Sequence, residues 1–329
     1  MKQKLLFLFI SILVLSVSCK TTKQSGSSNS NAADNKGATE TSVQAKSQNA
    51  TATVNSTSQQ QAATKSKTSA NAVDNVSFKI MEKTPNLKNL SELSAFFDML
   101  DISYYPDLVN DPVNAHKYIG NEKKTAANLG AYLGDMVYVM GSEGYIEAYK
   151  NFGAAMELAN EMDIEKEFPN LVIDRYEGKM PTDSIMLLLD EALNKSEKDL
   201  SEKDKVIFYD FMLYGNYIEK LHVISGLLVR VNKSKLPDVA IADLKRNLLI
   251  FMAKQRKPLE KAYAIMTPYF NNTPEIINEG ELKHLIALYK DLEANKDAIL
   301  KLDPKEIYNA KEVLAIGKQI EVVRNRIVN

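Results

Sequence analysis

Two Glu-x-x-His pairs, Glu219/His222 and Glu281/His284, are the residues whose types and spacing point most directly to chemistry. Three residues apart on a helix, a carboxylate and an imidazole share one face. Two such motifs, joined by a glutamate from each of two further helices, hold the metal pair of di-iron and di-manganese helical bundles. The further glutamates are not identifiable in this chain. His222 lies beside the core line Ile218, Leu221 and Ser225, whereas His284 shares its face with Asp291 and Asn295, away from Leu282, Leu285 and Tyr289. The sequence therefore leads to the expectation of satisfied or solvated histidines and no cofactor. A di-metal site built from Glu219, His222, Glu281 and His284 is the alternative.

A second constellation lies in the segment NLGAYLGDMVYVM. Asn128, Tyr132 and Asp135 fall at i, i+4 and i+7, so a helix presents them along one line. Their neighbours Leu129, Leu133, Met136, Val137 and Met140 are apolar, which places Asp135 in a partly buried setting. A buried carboxylate must find donors or hold its proton. The expectation is a structural partner, with a ligand-binding line through Asn128, Tyr132 and Asp135 as the functional reading.

No other catalytic set is recognisable. The sequence has no Gly-rich phosphate loop and no Gly-x-Ser-x-Gly elbow, and its single cysteine, Cys19, lies outside the globular part. A non-enzymatic role is the expectation. Of 41 Lys and Arg and 42 Asp and Glu, eight basic and three acidic residues precede residue 76, which leaves the body at about −6. Nucleic-acid binding, whose footprint is a basic patch, is not expected.

Cys19 belongs to a different chemistry. Lys2 and Lys4 precede an apolar run of thirteen residues, Leu5 to Val17. That run is short for a membrane span, which needs about 20 residues, and reads as a secretory signal. Leu15-Ser16-Val17-Ser18-Cys19 resembles the lipobox of bacterial lipoproteins, with Ser16 where that family prefers Leu. The resemblance implies that residues 1–18 are removed and that Cys19 is acylated. A lipid also accounts for a lone cysteine in an exported chain, and two or three acyl chains give stable anchoring. Lys20 follows the cysteine where lipoproteins kept in the inner membrane usually carry Asp, so the resemblance favours the outer membrane. Residues 20–75 are mostly Ser, Thr, Asn, Gln, Ala and Lys, with no aromatic and only Val43, Val54 and Val73 as branched apolar residues. They are too polar to offset the entropy of ordering and are expected to form a tether reaching about 40 Å.

The elements that must position the candidate residues are helices throughout. Apolar periodicity and turn signals predict helices over 87–101, 122–140, 145–162, 182–194, 205–231, 237–255, 258–269, 274–300 and 303–327. The expectation is an all-α domain over 76–329, a multi-helix bundle or stacked hairpins of about nine helices. The pattern Asn128-x-Gly130-x-Tyr132-x-x-Asp135, followed by Leu158-Ala159-x-Glu161-x-x-Ile164, resembles a group of all-helical envelope lipoproteins of the Bacteroidota type. That resemblance implies an address and a fold and carries no activity. The chain is thus expected to be a membrane-anchored envelope lipoprotein whose helical domain binds a protein or a small ligand. Its partners are the membrane, through the lipid, and other envelope proteins.

Overall fold

The computed structural model describes Phe97 and residues 103–142, 144–168, 182–231 and 237–329, all within one of the two units into which the chain divides. Cys19, the tether at 20–75 and the helix expected over 87–101 lie outside the described residues, save that Phe97 is helical and buried. Eight α-helices follow in order among the described residues, and no strand. They are α1 (Glu122–Gly141), α2 (Tyr145–Glu161), α3 (Thr182–Glu202), α4 (Val206–Arg230), α5 (Asp238–Ala253), α6 (Arg256–Met266), α7 (Glu279–Ile299) and α8 (Lys311–Val328). The fold is all-α, as the sequence predicts. Among the described residues no helix is long and apolar enough to cross a membrane.

Helices α1 and α4 are the centre of the bundle. Every residue of α1 from Thr125 to Gly141 is buried, as is almost all of α4 from Phe208 to Leu228. A helix apolar on all sides must be covered on all sides, and here the remaining helices do the covering. The two central helices meet backbone to backbone at glycines. A Cβ on Gly130 would lie 1.9 Å from the Met212 carbonyl oxygen, and one on Gly215 would lie 1.8 Å from that of Ala127. Asn216 Nδ2 donates to Gly130 O at 3.1 Å across the same crossing. Helix α2 lies along α1, and α8 packs against both α4 and α7.

Helix ends differ from the sequence expectation where tertiary contacts intervene. Helix α3 runs past 194 to Glu202, carried by a buried line through Leu193, Ser196 and Leu200. It stops at Asp204, whose φ of 56° is a left-handed conformation that Asp tolerates. Lys205 N then donates back to Leu200 O at 2.7 Å, closing the last turn. Helix α7 begins at Glu279 rather than near 274, because Asn278 caps it by accepting from Glu281 N at 3.1 Å. The helix expected over 303–327 is split into a single 3₁₀ turn, Ile307–Asn309, and α8. Residues 303–309 are instead tied to α5, where Lys245 Nζ donates to Pro304 O at 2.8 Å and lies 5.3 Å from the centre of the Tyr308 ring.

Candidate functional site

Asp135 projects from α1 into a fully buried position. One turn earlier, Gly130 has already brought α4 against α1. At Gly134 a Cβ would lie 3.2 Å from Glu219 Cβ, so the missing side chain lets the two acidic residues approach. Asp135 Oδ2 accepts two hydrogen bonds from Asn110, from its backbone N at 2.9 Å and its Nδ2 at 2.8 Å. Asn110 precedes a short 3₁₀ stretch, Pro112–Tyr118, that packs on α1 and α2. Arg324, from α8, closes the cluster. Its Nε donates to Glu219 Oε1 and Oε2 at 3.0 and 2.8 Å, and its Nη2 donates to Asn110 Oδ1 at 2.7 Å.

Two buried carboxylates face one buried guanidinium, so the cluster retains one proton. Desolvation and the nearby Glu219 push the Asp135 carboxyl well above the usual carboxylate range. Burial works on Glu219 in the same direction, but Arg324 together with its other neighbours outweighs it and holds that carboxyl below its usual range. The proton therefore sits on Asp135 and the negative charge on Glu219. Since Oδ2 of Asp135 is occupied by Asn110, the proton belongs on Oδ1, which accepts no hydrogen bond. There Glu219 is the acceptor, and the bond stabilises its anion. His222, one turn along α4, is buried and lies 3.6 Å by Nδ1 from Glu321 Oε1 on α8. Burial lowers its pKa against the pull of Glu219 and Glu321, so the imidazole is neutral at pH 7.

The sequence-derived candidates are thus rearranged. Asp135 comes together with Glu219 and His222, which the sequence placed in a separate constellation. Tyr132 donates to Asp111 O at 2.9 Å, just beside Asn110. Asn128 is turned to the other end of the line, where its Nδ2 donates to Lys124 O at 2.9 Å and to Ile327 O at 2.7 Å. Glu281 does not join Glu219. It forms a bidentate pair with Arg326 at 2.6 and 2.7 Å, and His284 is exposed on the far side of α7. Among the described residues no three His, Cys, Asp or Glu side chains group as metal ligands. A cation at either motif would have to displace an arginine.

Above Asn110 a groove of about 850 Å³ opens between the 104–113 segment and α2. Tyr104, Pro106, Val109, Pro112 and Val113 form an apolar wall, and Glu147, Lys150 and Asn151 face it from α2. Asn151 is buried. Its Nδ2 donates to Glu147 O at 2.9 Å, and its Oδ1 has no partner. On the other side of the cluster, His222 and Glu321 line a smaller cleft of about 250 Å³ between α4 and α8. Asn110 thus lines one opening and His222, one helical turn from Glu219, lines the other.

No known protein family matches the chain, and no curated protein or solved structure matches it either.

Two members of the cluster, Asn110 and Arg324, were not among the sequence candidates. Arg324 carried a usable signal. It falls four residues after Ile320 and three before Ile327, in the seam of α8 that also buries Val313 and Ile316, and a cation in an apolar seam calls for a buried anion. Asn110 carried none, because its role depends on where the 104–119 segment crosses α1.

Proposed function

We propose that this protein is a lipoprotein of the bacterial envelope, anchored at the outer membrane through Cys19, whose helical body binds a peptide-like ligand in the groove over Asn110. The observation that carries the binding reading is the groove itself. Its volume of about 850 Å³ falls in the range of ligand sites, roughly 300–1,000 Å³, which combine an apolar lining with a few placed polar groups. The floor is pre-organised, because Asn110 donates from its N and Nδ2 to Asp135 and accepts at Oδ1 from Arg324. Glu147 and Lys150 on the α2 side of the groove supply charges of both signs. The anchoring reading rests on the Lys-rich start, the short apolar run and the lone cysteine.

Thermal-shift titration of the mature chain with a library of short peptides tests the groove. A ligand at about 100 times its Kd stabilises by about 2.7 kcal/mol, and Val113→Glu, at a lip position 72% exposed, should abolish the shift without lowering the basal melting temperature. If no peptide shifted the wild type, or if both proteins shifted equally, the groove reading would fail. Anchoring is tested separately by incorporation of an alkyne fatty acid, which Cys19→Ser should eliminate.

A further inference from the structure

The outer face of α2 carries features that the fold does not use. Ile146 and Tyr149 are 58% and 51% exposed. Residues 146, 150, 153, 157 and 160 are all exposed, and their alternating spacing of four and three sets them along one outward stripe of the helix. Gly153 lies in the middle of it. Glycine inside a helix costs about 0.5–1 kcal/mol relative to Ala and needs a reason. At five other glycines of the described helices the reason is close packing. At Gly130, Gly134, Gly215, Gly226 and Gly317 a Cβ would come within 1.9, 3.2, 1.8, 2.2 and 3.1 Å of a neighbouring atom. At Gly153 nothing lies within 4 Å. Gly280, in the first turn of α7, meets only the side chain of its own cap Asn278, at 3.3 Å; at Gly153, in mid-helix, no second helix lies against the position among the described residues.

Charge identifies the missing helix. Lys150 and Glu157 flank Gly153 on the same exposed stripe, and neither is ion-paired within the described residues. If a second α2 crosses antiparallel with its two-fold axis at Gly153, Lys150 and Tyr149 of each copy come opposite Glu157 of the other. The stripe is self-complementary, as an isologous interface must be. We propose that the protein self-associates through this face, two copies of α2 crossing at Gly153. The stripe shares Lys150 with the rim of the groove, but its readouts are mass and cross-linking rather than ligand binding, so failure of one reading is distinguishable from failure of the other.

The test uses the mature chain with Cys19→Ser, which removes both the lipid and the only native thiol. In that background Gly153→Cys places one thiol at the axis, where the Cα atoms of the two copies approach within disulfide reach, about 4.4–6.8 Å. Mild oxidation should convert most of the Gly153→Cys protein to a linked dimer. Val239→Cys, at a position 74% exposed on α5, should give only collisional background. Sedimentation should show the parent approaching twice the monomer mass as concentration rises. Glu157→Lys should weaken the association at least tenfold, and Lys150→Glu combined with Glu157→Lys should restore it. Gly153→Leu should raise the melting temperature while abolishing the dimer, which separates loss of association from loss of fold. Monomeric mass at all concentrations would overturn the proposal, as would cross-linking of Gly153→Cys no greater than that of Val239→Cys.

Discussion

Two Glu-x-x-His motifs of identical spacing meet different fates in this fold. Both glutamates are captured by arginines two residues apart on α8, Glu219 by Arg324 and Glu281 by Arg326. In the first pair the side chains are 1% and 12% exposed, in the second 22% and 33%. The first shares its space with a second carboxyl, Asp135, and is linked to the 104–119 segment through Asn110. The second rests at the edge of α7, with only the Pro274 carbonyl added, 2.9 Å from Arg326 Nη1. Spacing makes a motif possible, but depth decides what it does. Water screens the outer pair, whereas the inner pair must be neutralised by the protein alone.

The contrast breaks most visibly at the arginines. Arg324→Ala leaves Glu219 buried without a cation and Asn110 Oδ1 without a donor. Loss of one partner of a buried pair costs about 3–5 kcal/mol, a fall of roughly 10 °C in melting temperature for a domain of this size. The deficit should shrink as pH is lowered from 8 to 5, because in the variant Glu219 can take up a proton. A loss below 1 kcal/mol would mean that water reaches the cluster. Arg326→Ala should cost about 1 kcal/mol or less, with little dependence on pH.

Asp135 gives the next largest effect. Asp135→Ala removes the acceptor of two Asn110 donors and should cost about 1–3 kcal/mol. Asp135→Asn keeps an acceptor toward Asn110 and a donor toward Glu219, and so mimics the protonated acid. Because the folded-state pKa of Asp135 is raised, its contribution is fully present below the unfolded value of about 3.9 and declines as pH rises from there. The asparagine variant should therefore melt at or above wild type at pH 8, and its advantage should disappear near pH 4. Equal melting of the alanine and asparagine variants at pH 8 would contradict the assigned proton.

The histidines sharpen the comparison at its small end. His222 has a lowered pKa in the folded state, so protonation opposes folding. Stability should fall as pH drops below about 6.5, and His222→Gln should flatten that part of the thermal profile. His284→Ala, on the exposed side of α7, should change stability by less than about 0.5 kcal/mol.

Most helices were legible because their apolar residues recur at the helical period, and α1 and α4 were the clearest because they are apolar on nearly every side. The ends of α3, α7 and α8 were less so, since the left-handed Asp204, the Asn278 cap and the Lys245–Pro304 bond depend on chain geometry that periodicity does not encode. At the site, the line Asn128, Tyr132, Asp135 could be read from spacing, as could the pairing of Glu219 with His222. That these two sets form one cluster could not. Their meeting depends on the glycine crossing at Gly130, Gly134 and Gly215, which fixes the register of α1 against α4, and periodicity does not specify that register.

The way α8 is held has a consequence for the order of assembly. Its final carbonyls are received by residues far earlier in the chain: Ile327 O by Asn128, Val328 O by Tyr118 and Asn329 O by Lys124. Arg324 on the same helix supplies the cluster's guanidinium. A growing chain that has reached only α7 already contains Asp135 and Glu219 but not the cation that lets them share a buried space. Its two central helices would meet with an uncompensated carboxylate between them, which weakens their docking until residues beyond 320 arrive. The body should consequently stay open until its C-terminal helix emerges and then close in one late step, and a ribosome-arrested chain ending at residue 305 should remain protease-sensitive throughout α1 and α4.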